Sequence, residues 1–156
     1  MAERTIAFRL NGGERSARIE DQYTLIDMVR GMGFVGAKVS CDMEVCGSCT
    51  MLLGGRPVSA CTSLALEADG RDVVTIEGLA AGDVLHPLQQ AFIDNFAFQC
   101  GYCTPGMIVA AKSLLDERPA PKADDVRHWM EGNICRCTGY QTIVEAVLQA
   151  AGKARA

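Results

Sequence analysis

Eight cysteines in an uneven pattern constrain this 156-residue chain more than any other feature. They fall as Cys41, Cys46, Cys49 and Cys61 and, after a gap, as Cys100, Cys103, Cys135 and Cys137. The opening residues, Met1-Ala2-Glu3-Arg4-Thr5-Ile6, show neither an apolar leader core nor a twin arginine, so a cytoplasmic, reducing location is expected. Four disulfides would be out of place there. Short cysteine spacings in such a compartment point to metal ligation or redox work. The net charge of −4, without a basic block, argues against a nucleic-acid footprint. No apolar run reaches the roughly 18–20 residues of a membrane span.

The chain changes character part-way along. Ile6, Phe8 and Leu10 alternate, Asn11-Gly12-Gly13 turns, and Ala17 and Ile19 alternate again, which predicts a hairpin. Thr24-x-x-Asp27 opens a helix over Leu25–Met32, with Leu25, Met28, Val29 and Met32 on one face. Met51–Leu53, Gly54-Gly55 and Val58 predict a second hairpin, and Val73–Ile76 a short buried strand. These elements suit a β-grasp sheet. After Leu79–Asp83 the pattern becomes helical. His86-Pro87 opens a helix carrying Leu88, Ala91, Phe92 and Phe96; Thr104-Pro105 opens another carrying Ile108, Ala111, Leu114 and Leu115. Val126, Trp129 and Met130 mark a third, and Tyr140, Ile143, Val144, Val147, Leu148 and Ala151 a fourth. The expectation is an α+β chain: a β-grasp domain over residues 1–80, then a four-helix bundle over 81–156.

Cys41-x4-Cys46-x2-Cys49, with eleven residues before Cys61, has the plant-type ferredoxin spacing. Three sulfurs converge from one tight loop in which Gly47 supplies close approach, and the fourth crosses from the hairpin. Four thiolates around a [2Fe–2S] core make a dianion, so loop N–H groups must compensate the charge. Structural zinc also accepts four thiolates and is the alternative. Cys100-x2-Cys103 precedes the Thr104-Pro105 helix start, and Cys135-x-Cys137 precedes the last helix. Helix N-termini favour negative charge, and two such ends in a bundle can meet to present a second four-thiolate set, again with zinc as the alternative.

Gln99-Cys100-Gly101-Tyr102-Cys103-Thr104-Pro105-Gly106-Met107 and Gly132-Asn133-Ile134-Cys135-Arg136-Cys137-Thr138-Gly139-Tyr140 closely resemble the signatures of the small iron–sulfur subunit of the xanthine oxidase family of molybdenum hydroxylases. The resemblance covers nearly the whole chain. It implies an electron-transfer subunit with two [2Fe–2S] clusters. The distal cluster would sit on Cys41, Cys46, Cys49 and Cys61, and the proximal one on Cys100, Cys103, Cys135 and Cys137. Gln99 would hydrogen-bond the molybdopterin and Cys137 would lie beside its amino group. Electrons would pass from molybdenum through both clusters to a flavin or an external acceptor. Substrate chemistry, and every catalytic residue, would belong to a large molybdopterin-binding subunit. A medium FAD-binding subunit is frequent in such complexes, and assembly as a dimer of heterotrimers or heterodimers is implied. Many members carry glycine just before the first cysteine and three residues after it; here stand Ser40 and Glu44. A carboxylate at Glu44 directed at the cluster would lower its potential.

Other polar candidates have plainer readings. His86 is expected as a cap before Pro87, His128 as a surface residue, Trp129 as core, and Lys38 as solvated. Arg136, between two thiolates, would offset cluster charge or meet the large subunit.

Overall fold

The opening alternation folds as a hairpin of β1 (Glu3–Leu10) and β2 (Gly13–Glu20), paired antiparallel from Glu3↔Glu20 to Leu10↔Gly13. Asn11 and Gly12 form the turn with φ of 52° and 81°, the left-handed geometry that such two-residue turns require. Ile6, Phe8, Leu10 and Ile19 point into the core. The computed structural model describes residues 3–153; Met1-Ala2 and the last three residues of the expected 81–156 segment lie outside them.

Helix α1 (Leu25–Gly31) begins where the capping pattern places it: Thr24 Oγ1 accepts from the Asp27 N–H at 3.3 Å. Its buried Leu25, Ile26, Met28 and Val29 cover one face of the sheet. Strands β3 (Thr50–Leu53) and β4 (Arg56–Ser59) make the second hairpin, and β5 (Asp72–Val74) completes the order β2-β1-β5-β3-β4. Among the described residues only β1 and β5 pair in parallel. Strand β5 is shorter than its apolar run. Asn11 Oδ1 takes the Thr75 N–H at 2.9 Å, so that backbone donor is lost to the ladder and Ile76 starts a 3-10 turn.

Among the described residues four α-helices follow: α2 (Pro87–Asp94), α3 (Thr104–Glu117), α4 (Ala123–Trp129) and α5 (Gln141–Lys153). They share a second hydrophobic cluster built on Leu88, Phe92, Met107, Leu114, Val126, Ile143 and Val147. Helix α3 also lies against β3, whose residues are all buried, and so joins the sheet to the helices. Four expected helix positions fall outside their α-helices; Met32 is the C-cap of α1, and Met130 opens a 3-10 turn after α4. Asn95 caps α2 by donating from Nδ2 to Ala91 O at 2.7 Å, and Phe96 then turns out with φ 50° and 79% exposure. Tyr140 precedes α5 with φ 70°. Among the described residues no helix is long and apolar enough to cross a membrane.

His86 is the cap expected: its Nδ1 accepts from the Leu88 N–H at 3.2 Å. Burial lowers its pKa below the ordinary histidine value, and the nearby Lys112 adds to this against Asp116. The unfolded chain therefore takes the proton first as pH falls. The stability that neutral His86 supplies is present above the unfolded value of about 6.5 and is lost as pH falls through the lower folded value. His86→Asn keeps a capping side chain without the titration. Thermal midpoints measured from about pH 8 down to about pH 5.5 should fall less steeply in His86→Asn than in the native chain. Equal slopes would refute the assignment.

Candidate metal centres

The first three cysteines lie on the loop between α1 and β3. That loop takes left-handed turns at Asp42 (φ 56°), Glu44 (φ 62°) and Gly47 (φ 67°). The turns curl the backbone around Cys41, whose Sγ accepts from the N–H groups of Val45 and Cys46, both at 3.3 Å. Backbone hydrogen bonds from Met43, Val45 and Cys46 pull the Cys41 thiol down to about 6. Cys41 also shares a thiol contact with Cys46, and Cys49 shares one with Cys61. Cys49 and Cys61 are buried, and burial pushes Cys49 up to about 12.

The second set forms in the same pairwise way. Cys137 and Cys100 meet with sulfurs 3.6 Å apart, and Cys103 contacts Cys135. Cys103 is the N-cap residue of α3, and burial pushes it up to about 12. Burial raises Cys135 too, but hydrogen bonds from the Thr138 hydroxyl (3.1 Å), the Thr138 N–H (3.4 Å) and the Cys137 N–H outweigh it, so its net shift is downward. Cys137 is raised, first by its hydrogen bond with Cys100. All eight cysteines are free of disulfides.

Among the described residues no group of three or more ligating side chains stands together as a ready-made metal site. The sulfurs stand as two pairs in each set. Two thiolates on one tetrahedral metal lie about 3.8 Å apart when each bond is about 2.3 Å, close to the Cys100–Cys137 separation. Two pairs per set suit a binuclear centre with two thiolates on each iron. The donors suit it as well. N–H groups already aim at Cys41 and Cys135, and Thr104 Oγ1, next to Cys103, is buried without a hydrogen-bond partner among the described residues. A sulfur acceptor would satisfy it.

Gln99 and Cys137, expected at the molybdopterin, come together: Gln99 Nε2 donates to Cys137 O at 3.1 Å, and both are exposed. Arg136 is exposed, and Lys38 is tied down by Nζ donating to Val35 O at 2.9 Å rather than simply solvated. Trp129 is half-buried rather than in the core: it packs against the helical cluster, with its Nε1 donating to Ala110 O at 3.0 Å.

The sequence reading did not single out the seam between the two cysteine loops. The Ile134 N–H donates to Cys46 O at 2.9 Å, and Tyr102 OH donates to Val39 O. Asn133, 7% exposed, donates from Nδ2 to Gly47 O at 3.0 Å and to Thr50 Oγ1 at 3.1 Å. Gly106, in the first turn of α3, faces Gly47 O so closely that a β-carbon there would lie well under 3.0 Å from it. One signal of this was available. Glycine costs a helix about 1 kcal/mol against alanine, so Gly106 in a helical segment marks a close approach.

Comparison with known proteins agrees with this architecture. Residues 22–94 match the model of a 2Fe-2S iron-sulfur cluster binding domain, and residues 75–148 that of a [2Fe-2S] binding domain. The fold and the cysteine sets thus define a [2Fe–2S] protein. The nicotine 6-hydroxylase small subunit of Paenarthrobacter nicotinovorans is 44% identical over 95% of this chain and 90% of its own length. Quinoline 2-oxidoreductase from Pseudomonas putida 86 superposes with a TM-score of 0.94 at 44% identity, covering 98% of this chain and 96% of that one. The aldehyde oxidoreductase of Desulfovibrio desulfuricans ATCC 27774 gives 0.93 at 44% identity, with 97% of this chain matching 17% of that one. The chain belongs to the small iron–sulfur subunits of molybdenum-containing oxidoreductases of the xanthine oxidase family.

Proposed function

We propose that this chain passes electrons between a molybdopterin centre on a large subunit and FAD or an external acceptor, through two [2Fe–2S] clusters. Residues 1–80 form a plant-type ferredoxin-like β-grasp domain that holds the distal cluster on Cys41, Cys46, Cys49 and Cys61. Residues 81–156 form a helical-bundle domain that holds the proximal cluster on Cys100, Cys103, Cys135 and Cys137. Each cluster, when bound, takes up and releases one electron. The protein supplies thiolates in pairs, N–H donors that offset their charge, and a dry setting for Cys49, Cys61 and Cys135.

The observation that carries this reading is the hydrogen bond from Ile134 N–H to Cys46 O. It joins a ligand of one set to the residue preceding a ligand of the other, and so fixes the two sets at short range. Gln99 and Cys137 would meet the molybdopterin. The exposed Phe96, Phe98, Tyr102 and Ile134 would be covered by the large subunit. The match to only 17% of the aldehyde oxidoreductase chain supports a partner of that kind. A medium FAD subunit, pairing into a dimer of heterotrimers or heterodimers, and a cytoplasmic location complete the proposal. The test is anaerobic purification of the native complex. Visible absorption, two distinct electron paramagnetic resonance signals on reduction and iron matching two clusters per chain are expected. A colourless, zinc-loaded chain would overturn the reading.

Glu44 gives a smaller prediction. Its carboxylate accepts from Thr62 Oγ1 at 3.3 Å, and Thr62 adjoins Cys61. A negative charge held there disfavours the more negative reduced state. Glu44→Gln should raise the midpoint of the distal cluster by something on the order of 20 mV, small because the side chain is exposed and screened. Redox titration reads it directly, and an unchanged or lower midpoint counts against the role.

A further inference from the structure

We infer that Asn133, which lies two residues before a cysteine of the second set, is a positioning residue for the cluster of the first set. The inference rests on the assignment of clusters proposed above. Three donors converge on Gly47 O, between Cys46 and Cys49: Thr50 N–H at 3.1 Å, Thr50 Oγ1 at 2.6 Å and Asn133 Nδ2 at 3.0 Å. Asn133 Nδ2 also donates to Thr50 Oγ1, which closes a triangle. The fit is tight from the other side too. A β-carbon on Gly47 would lie 2.5 Å from both Asn133 Nδ2 and Gly132 O.

Among the described residues nothing comparable ties the Asn133 side chain to the second set. Cys135 Sγ takes its donors from Thr138, and the Cys135 N–H donates to Tyr140 OH at 2.9 Å. The Asn133 amide therefore acts across the seam. It holds the Gly47 carbonyl in one orientation and partly neutralises the negative end of that dipole. Without it, the carbonyl of Gly47, which lies in the loop between Cys46 and Cys49, is under-compensated, and the reduced, more negative state of the first cluster is disfavoured. The result is a crossed effect, in which a change in the second loop moves the first potential.

The variant is Asn133→Leu, of similar size but without a donor, so a purely space-filling role survives it. The native and variant complexes are titrated under electron paramagnetic resonance. The signal lost in a Cys103→Ala complex marks the second set. At the native midpoint of the first set, the oxidised-to-reduced ratio should rise threefold or more in Asn133→Leu, about 28 mV at 59 mV per tenfold for one electron. The second-set midpoint should stay in place. A first set that does not move, or a second set that moves as far, would overturn the inference. If Asn133→Leu yields no complex, Thr50→Val, which removes the acceptor of Asn133 and one donor to Gly47 O, must lower the same midpoint; no shift there overturns it as well. A native complex without two signals would sink the cluster assignment itself, and that is seen before any variant is made.

Discussion

Replacing Cys103 with alanine should leave the complex with half its iron in this chain and one of its two iron–sulfur signals. Cys103 stands at the N-cap of α3 in contact with Cys135. On the proposed ligand assignment its loss would leave one iron of the second set with a single thiolate, and a [2Fe–2S] core needs four protein ligands. The first set keeps Cys41, Cys46, Cys49 and Cys61, and the main-chain bond from Ile134 to Cys46 does not involve the missing sulfur. The surviving signal should therefore keep the native g-values. Removing the proximal carrier also breaks the only protein route proposed from molybdopterin to acceptor. Turnover with an external acceptor should fall to background, while one round of substrate-dependent molybdenum reduction persists in the large subunit. Iron analysis, electron paramagnetic resonance and single-turnover kinetics separate these outcomes. Loss of both signals would mean that the two sets do not load independently, and retention of both would remove Cys103 from the ligand set.

Much of the scaffold was legible because local chemistry dictates it. Asn11-Gly12 is a turn that only left-handed residues make well, and Thr24 with Asp27 caps a helix wherever an apolar stripe follows. The expected cysteine sets rest on a similar reason: spacing limits which sulfurs a short loop brings together. The pairing within each set was not legible, since it depends on how loops distant in sequence pack. Periodicity misplaced Phe96 because a side-chain cap, Asn95 to Ala91 O, ends α2 before the apolar pattern does. The seam escaped for the same physical reason. Asn133 in a polar loop has many possible partners, and its choice of Gly47, 86 positions away, is a tertiary fact. Glycine is the exception, because its lack of a side chain records an approach even when the approaching group is unknown.

That makes Gly106 the sharpest test of the seam. Alanine there improves helix propensity by about 1 kcal/mol. Against this, its β-carbon meets Gly47 O well under 3.0 Å away and Ser48 C and Cα at 3.2 Å. These are backbone atoms held by Thr50 and Asn133, so no flexible side chain can yield. Overpacking of this kind costs about 1–3 kcal/mol, and more where the neighbour is rigid, so the clash outweighs the propensity gain. Net destabilisation of about 2 kcal/mol is expected, which lowers the thermal midpoint by about 4–8 °C in a chain of this size. The first-set signal should broaden or be lost, because the loop carrying Cys46 and Cys49 is what must move. Gly132→Ala is the control. It lies in the same seam, yet a β-carbon there meets nothing within 4 Å, so its effect should stay within about 0.5 kcal/mol. If the two alanines behave alike, helix α3 does not press on the first cysteine loop, and the two sets are not held in register by this contact.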